Sequence, residues 1–496
     1  MKRKPMLALL VAAAAITATG TVVAQGKVDV PASIAPKLEG LPKEKREFLL
    51  SDKAFGIAGS ERKLFQRLEG MTPAEIEAYT DGMMAVVAAG KFNPATDMAS
   101  IPLNTEAEDF NGWKVRRPAT MDPKREPGPF RPNYYMSPRG GIATFANAPI
   151  AVYPEDLIAG KVDVAIVGAP LDMGSGYRGA AGAPSAMRAM QGASRIDMYT
   201  MVNPSKELNI VDYGDIAVDN MSTEVTVHHV RERVAEIART GALPFIVGGD
   251  HSLEYPNIAG LADVHGKNSF GVIHFDSHYD AGKASVHFIT HGQPVYRAVK
   301  EGHVDPRNFI QIGLRGGWPG KDGFEWMRDN GMRYHTMPAI EQRGWKAVME
   351  QALKEAREGG KKLYISFDVD VLDPAFIPGT GTPVPGGLTM REAITIVRRL
   401  CAENDIVGFE IVEVAPMLDS TYRTALNANF IMHACLTGVA MRKTGIKDIG
   451  YFSELTTEHQ QPGAGIKGEK AGRRDPVDPY YARPDLRPKA AAPKKE

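Results

Sequence analysis

Six short apolar runs, separated by stretches with helical periodicity, leave this chain few folds to choose from. They are "DVAIVGAP", "LPFIVGGD", "FGVIHFD", "NFIQIGLR", "KLYISFDVD" and "DIVGFEIVEVAP". Among them lie "EVTVHHVRERVAEIART", "WKAVMEQALKEAREGG" and "TMREAITIVRRLCAEN", whose apolar residues recur at helical steps. Strand, helix, strand in this order implies parallel pairing with helices packed on the sheet. Runs that are apolar on both sides, such as "VAIVGA", require cover on both faces. The predicted fold is α/β: a doubly wound, mainly parallel sheet flanked by helices.

That core, placed at 151–458, does not use the whole of the 496 residues. Residues 1–24 have a basic start (Lys2, Arg3, Lys4), an apolar stretch and small residues ending at Ala24. This is the layout of a secretory signal peptide, so the chain is expected to be exported, to a periplasm or beyond. An uncleaved anchor is the alternative, because the apolar stretch approaches bilayer-spanning length. No Cys lies there, which excludes a lipoprotein anchor. Residues 25–150 read as an extension, partly helical, with a capped helix start predicted at Thr72 and Glu75. The tail, 459–496, is dense in Pro, Gly, Lys and Arg and is expected to be disordered or laid along a surface.

Lys+Arg 59 balances Asp+Glu 59. A net charge near zero gives no reason to expect nucleic acid as a partner, or a membrane once the signal is cleaved. The two cysteines, Cys401 and Cys435, sit in apolar helical patterns and are expected to be buried free thiols, since a domain this large needs no staple.

Three of the apolar runs end in groups that a buried strand should exclude. "LPFIVGGDHS" ends in Asp250 and His251, "GVIHFDSHYD" in Asp276, His278 and Asp280, and "LYISFDVDVLDP" in Asp368, Asp370 and Asp373. In doubly wound sheets ligands bind at the carboxyl ends of the strands, so all three clusters meet at one edge. Residues two apart on a strand share a face, which would aim Asp276, His278 and Asp280 at one point, and Asp368 with Asp370. Four carboxylates cannot share a pocket unless positive charge joins them. Two divalent ions balance them and leave room for a bridging hydroxide. Oxygen ligands with two imidazoles and no thiolate favour Mn²⁺ over a structural zinc, with Ni²⁺ or Co²⁺ as alternatives. Asp250 and Asp373 read instead as turn and capping residues.

"GGDHS", "FDSHYD", "SFDVDVLDPAFIPGTGTPVPGGLT" and "VEVAP" together resemble the ureohydrolase superfamily of arginases and agmatinases over about 150–455, agmatinase-like members most closely. The resemblance implies His251, Asp276, His278, Asp280, Asp368 and Asp370 as ligands of two Mn²⁺ ions, with Asp276 and Asp368 bridging. It implies His291, in "THGQPV", for proton transfer and Glu413, in "VEVAP", for pairing with a substrate guanidinium. The activity implied is hydrolysis of a guanidino compound to urea and an amine by a metal-bridging hydroxide, in a homo-oligomer (trimer or hexamer).

Departures from the family pattern bear on the substrate. Gly282 stands where arginases present an asparagine to the α-amino acid head, so free arginine should be poor. Lys283 could meet a carboxylate at the far end of a guanidino acid. Glu410 stands where an aspartate is common, and "DMGSGYRGAAGAPSAMR" lacks an arginine that agmatinases often carry. Agmatine or an ω-guanidino acid such as 4-guanidinobutyrate is therefore expected. Arginase or guanidine hydrolase activity is the alternative, followed by a non-guanidino amidine or amide hydrolase and by a non-catalytic binding protein.

Overall fold

The computed structural model describes residues 28–457, apart from 98–104, 113–114, 122–124, 133–140, 191–192, 284–288, 359–361 and 449. The signal segment and the C-terminal tail lie outside the described residues. The chain divides into two compact units, the first ending at Lys124 and the second beginning at Arg125.

The first unit is helical: Ala35–Glu39, Lys43–Leu49, Asp52–Ala58, Glu61–Glu69 and Pro73–Ala89. Its own core gathers Ile34, Leu38, Leu49, Leu64, Leu68, Ile76, Tyr79 and Met83. The helix Pro73–Ala89 starts where a capping box predicts, Thr72 accepting from the amide of Glu75 and Glu75 from that of Thr72. The stretch 125–150, read above as part of the extension, belongs to the second unit. There Gly128 N donates to the buried Asp156 at 2.8 Å, and Phe130 bridges Ile150.

The second unit is built on eight strands: β1 (Val164–Ala169), β2 (Ile210–Asp215), β3 (Leu243–Gly248), β4 (Phe270–Phe275), β5 (Phe309–Ile312), β6 (Arg333–His335), β7 (Lys362–Asp368) and β8 (Ile406–Val412). All pair in parallel in the order β2-β1-β3-β8-β7-β4-β5-β6. Alternate residues of one strand enter different cores. Val164 and Ile166 join one cluster, Ala165 and Val167 the other. Each fully buried side chain such as Ile166 contributes roughly 1.5–3 kcal/mol. The six strands predicted are all present. The two not predicted, β2 and β6, are the edges of the sheet, where less of the strand is buried and the apolar signal is weaker.

The cysteines are a correction. Cys401, on the helix Met390–Glu403, and Cys435, on the helix Arg423–Lys443, form a disulfide and are not free thiols. The two helices approach too closely for side chains to separate them. A Cβ on Gly438 would lie 2.4 Å from the carbonyl oxygen of Arg398 and 2.7 Å from Cys401. That approach brings the two cysteine Cα atoms to 5.3 Å, within bridging range. Among the described residues no helix is long and apolar enough to cross a membrane.

Candidate metal centre and its cleft

The four central strands β3, β8, β7 and β4 are adjacent, and each delivers functional side chains at its carboxyl end. After β3 the chain turns through Gly248 and Gly249 into the short helix His251–Leu253. The turn demands glycine. A Cβ on Gly249 would stand 1.7 Å from the carbonyl oxygen of Leu171, so any other residue there breaks the site. Asp250 caps the helix through Ser252 N, as predicted, and also accepts from Gly174 N at 2.7 Å, tying down the 174–175 loop.

His251 is buried with Nδ1 2.9 Å from Asp276 Oδ2 and 3.2 Å from both Asp280 Oδ2 and Asp368 Oδ2. His278 Nδ1 lies 3.3 Å from Asp276 Oδ1 and 3.0 Å from Asp370 Oδ2. All six predicted ligand residues are thus brought together. Asp276 faces both histidines, one oxygen to each. Asp368 groups with His251 and Asp276. Pleat alternation does not align them: β4 ends at Phe275, so Asp276, His278 and Asp280 lie on the loop beyond. Asp280 takes φ +44°, a left-handed turn that costs a non-glycine residue about 1–2 kcal/mol.

A second layer fixes these ligands. One register row below them, Gln311, His274, Ser366 and Glu410 stand side by side across β5, β4, β7 and β8. His251 Nε2 bonds Ser366 Oγ at 2.8 Å, which leaves Nδ1 for the centre. His274 lies between Glu254 Oε1 at 3.1 Å and Asp276 Oδ2 at 3.2 Å. Asp370 Oδ1 accepts from Ser277 N and Oγ. Arg315, from the end of β5, donates to the backbone oxygens of Asp370, Leu372 and Val384, and so holds the loop after β7.

The charges are mutually dependent. Burial opposes the imidazolium of His278, but Asp276 and Asp370 outweigh it and lift the group to about 12. His251 is raised well above its ordinary value for the same reason, against burial and through Asp276, Asp280 and Asp368. Burial, then the charges of Asp370 and Asp276, push Asp368 far up. Burial raises Asp276 too, but its three histidine neighbours draw it well below the usual carboxylate range. Carboxylates crowded in this way demand cations.

Divalent ions fit. His251 Nδ1 and Asp276 Oδ2 are buried and 2.9 Å apart, yet neither finds a partner of good hydrogen-bond geometry, as expected of atoms placed to meet a cation between them. The donors are four carboxylates and two imidazoles, with no thiolate, a set suited to a pair of hard or borderline ions.

Beside the cluster, Glu413 Oε1 accepts from His251 N at 2.9 Å and meets His291 Nδ1 at 3.0 Å. Glu413 takes φ +61°, held by its own amide on Gly249 O at 2.8 Å. Strain of this kind concentrates at functional sites. Burial opposes the imidazolium of His291, but Glu413 raises it to about 9.

Gly282 and Lys283 are placed differently from the ligands. Gly282 N bonds Gly292 O at 2.9 Å, closing the loop on itself. Lys283 is exposed and lines a recess of about 200 Å³ with Gln293, Tyr296, Arg297, Lys300 and Glu301. Sequence reasoning missed Arg315, the Glu254–His274 pair, and two aromatics at the cleft. Tyr177, 61% exposed, packs on Gly381, where a Cβ would lie 2.9 Å from its own Cβ and 3.9 Å from Glu413 Oε2. Trp318 lies with its ring 6.5 Å from that of His278. The "GG" before Trp318 and the Pro after it signalled a built loop, but not what it faces.

Fold and site together define an α/β protein made to hold a pair of divalent cations at the carboxyl edge of a parallel sheet. The chain belongs to the arginase family, whose profile matches residues 162–438. It is 36% identical over 311 residues to a guanidinobutyrase of Pseudomonas aeruginosa, covering 61% of this chain and 95% of that one. It is also 36% identical over 307 residues to a mitochondrial agmatinase of Gallus gallus, covering 60% and 87%. The solved proclavaminate amidinohydrolase of Streptomyces clavuligerus superposes with a TM-score of 0.56 at 30% identity, over 62% of this chain and 99% of that one. By membership of this family the chain is a metal-dependent hydrolase of amidino C–N bonds.

Proposed function

We propose that this enzyme hydrolyses a guanidino compound with an aliphatic chain, agmatine or an ω-guanidino acid such as 4-guanidinobutyrate, to urea and the corresponding amine. The observation that carries the reading is the His291–Glu413 pair at 3.0 Å, bonded through Glu413 to the backbone of His251. His251, Asp276, His278, Asp280, Asp368 and Asp370 would hold two divalent ions, which acidify water and so supply the nucleophile at neutral pH. Their oxygen-rich donor set supports manganese. Glu413 orients the cationic substrate through charge-assisted hydrogen bonds, with Oε1 already engaged and Oε2 left for the ligand. His291 keeps its proton at neutral pH and gives it from Nε2, the nitrogen turned away from Glu413, to the departing amine as the C–N bond breaks. The names of the relatives, guanidinobutyrase and agmatinase, support this substrate class.

Urea release from arginine, agmatine, 4-guanidinobutyrate and guanidine, on one manganese-loaded preparation, is the test. No urea from any of them refutes the reading. Arginine as the best substrate overturns the preference. Lys283→Ala should lower kcat/KM for 4-guanidinobutyrate alone if that lysine meets the carboxylate, and leave all four unchanged if it is a surface charge.

Export is a further part of this proposal. The Cys401–Cys435 disulfide supports it, since such bonds persist in oxidising compartments. N-terminal sequencing of protein recovered from outside the cytoplasm should start close to Gln25. A chain that retains Met1 there would contradict cleavage.

A further inference from the structure

Trp318 is fixed by packing without being buried. Its ring meets the edge of Tyr279 at 4.4 Å and 81°. Tyr279 and Pro319 are themselves pressed together at Gly323, where a Cβ would fall 2.5 Å from Pro319 and 3.1 Å from Tyr279. The indole also lies close to the backbone of the metal loop. A Cβ on Gly282 would come 3.5 Å from it, and one on Gly292 3.7 Å. Gly292 follows His291, Gly282 lies two residues after Asp280, and the His278 ring is 6.5 Å away. The residue is nonetheless 40% exposed.

A large aromatic held by its neighbours yet still partly exposed has hydrophobic free energy to gain from a ligand. We propose that Trp318 is the wall along which the aliphatic chain of the substrate lies, so that the enzyme selects guanidino compounds by the methylenes beyond the guanidinium. This rests on the functional reading above and names its specificity element. An indole face suits methylenes, which gain dispersion and leave water together. Gly282 and Gly292 serve that wall. Any side chain on Gly282 would meet the carbonyl oxygen of Gly292 at 2.9 Å and crowd the indole.

Calorimetric binding of methyl-, ethyl-, propyl- and butylguanidine to the manganese-loaded full-length protein tests this without requiring turnover. In the wild type each added methylene should tighten binding by up to about fourfold. Trp318→Ala should flatten that slope, and Trp318→Phe should keep part of it, with metal content measured on both variants. An equal loss across the series would mark stacking on the guanidinium itself or a damaged fold, and would overturn the proposal. So would an unchanged slope in both variants, or a wild type indifferent to chain length. A wild type that shows the slope but releases no urea from any guanidino compound refutes the hydrolytic reading and leaves the assignment of Trp318 standing.

Discussion

The two histidines that share Asp276 stand in different surroundings. His251 is buried, faces three carboxylates within 3.2 Å and is backed by His274, whose ring stacks on it at 4.9 Å and 6°. His278 faces two carboxylates, its side chain is 22% exposed, and the ring of Trp318 lies 6.5 Å from its own. The deep position is richer in charge and drier, so each ligand there acts in a lower dielectric. The shallow one is reached by solvent. A deep ion should therefore be retained and a shallow ion exchanged. Asp276 is the residue on which both depend.

Asp276→Ala should break that comparison altogether, because its Oδ1 serves one side and its Oδ2 the other. Metal content after gel filtration should fall below one ion per subunit. Turnover should fall by more than the roughly hundredfold that loss of an outer-layer partner costs. Full metal content and activity in this variant would remove the basis of the two-ion assignment.

His278→Ala should sharpen it. Removing the shallow imidazole leaves Asp276, Asp280, Asp368 and His251 in place, so one ion should remain while turnover drops by at least the roughly hundredfold that loss of an outer-layer partner costs. His251→Ala should empty the deep position and weaken the shallow one through Asp276. Equal metal loss in the two variants would mean that the two positions do not differ as their burial implies.

Much of this is legible in the sequence alone. An aspartate that closes an apolar strand violates the pattern that makes the strand, and three such violations at one sheet edge are hard to attribute to caps alone. What was not legible was how the groups meet. Asp276, His278 and Asp280 converge because the chain leaves β4 and turns through a left-handed Asp280, and a periodicity of two says nothing of that. The edge strand β6 has three residues, two of them only half buried, too few to stand out as an apolar run. The cysteines read correctly as buried helix positions, but their pairing depends on Gly438 letting one helix onto another, a tertiary contact that periodicity within either helix does not show. Trp318 sits in a Gly/Pro-rich loop, and only the fold brings that loop beside His278.

Metal loading should release protons. In the metal-free site the carboxylates hold His278 up to about 12, against burial, and raise His251 well above its ordinary value. An ion must displace those protons, so its affinity should fall by about tenfold per pH unit lowered for each proton displaced. Calorimetry in buffers of different ionisation enthalpy counts them directly. Affinity independent of pH between about 6 and 8 would show that the bare histidines are already neutral.

The smallest effect concerns the other end of the cleft. His291 is raised to about 9 because Glu413 outweighs burial, so its protonated form is present at neutral pH and is lost as pH rises through that value. The basic limb of kcat, at saturating substrate, should therefore fall near pH 9 in the wild type. Glu413→Gln keeps a hydrogen-bond acceptor and removes the charge. Burial then prevails, and His291 should drop to its ordinary 6.5 or below, carrying the basic limb with it. At pH 7.5 the protonated fraction, and kcat with it, should be down by about tenfold, beyond any change in KM from lost guanidinium pairing. Metal content must stay intact, since Glu413 reaches His251 through its backbone amide and not through the ring. A variant whose limb stays near pH 9 would show that another group donates the proton to the leaving amine.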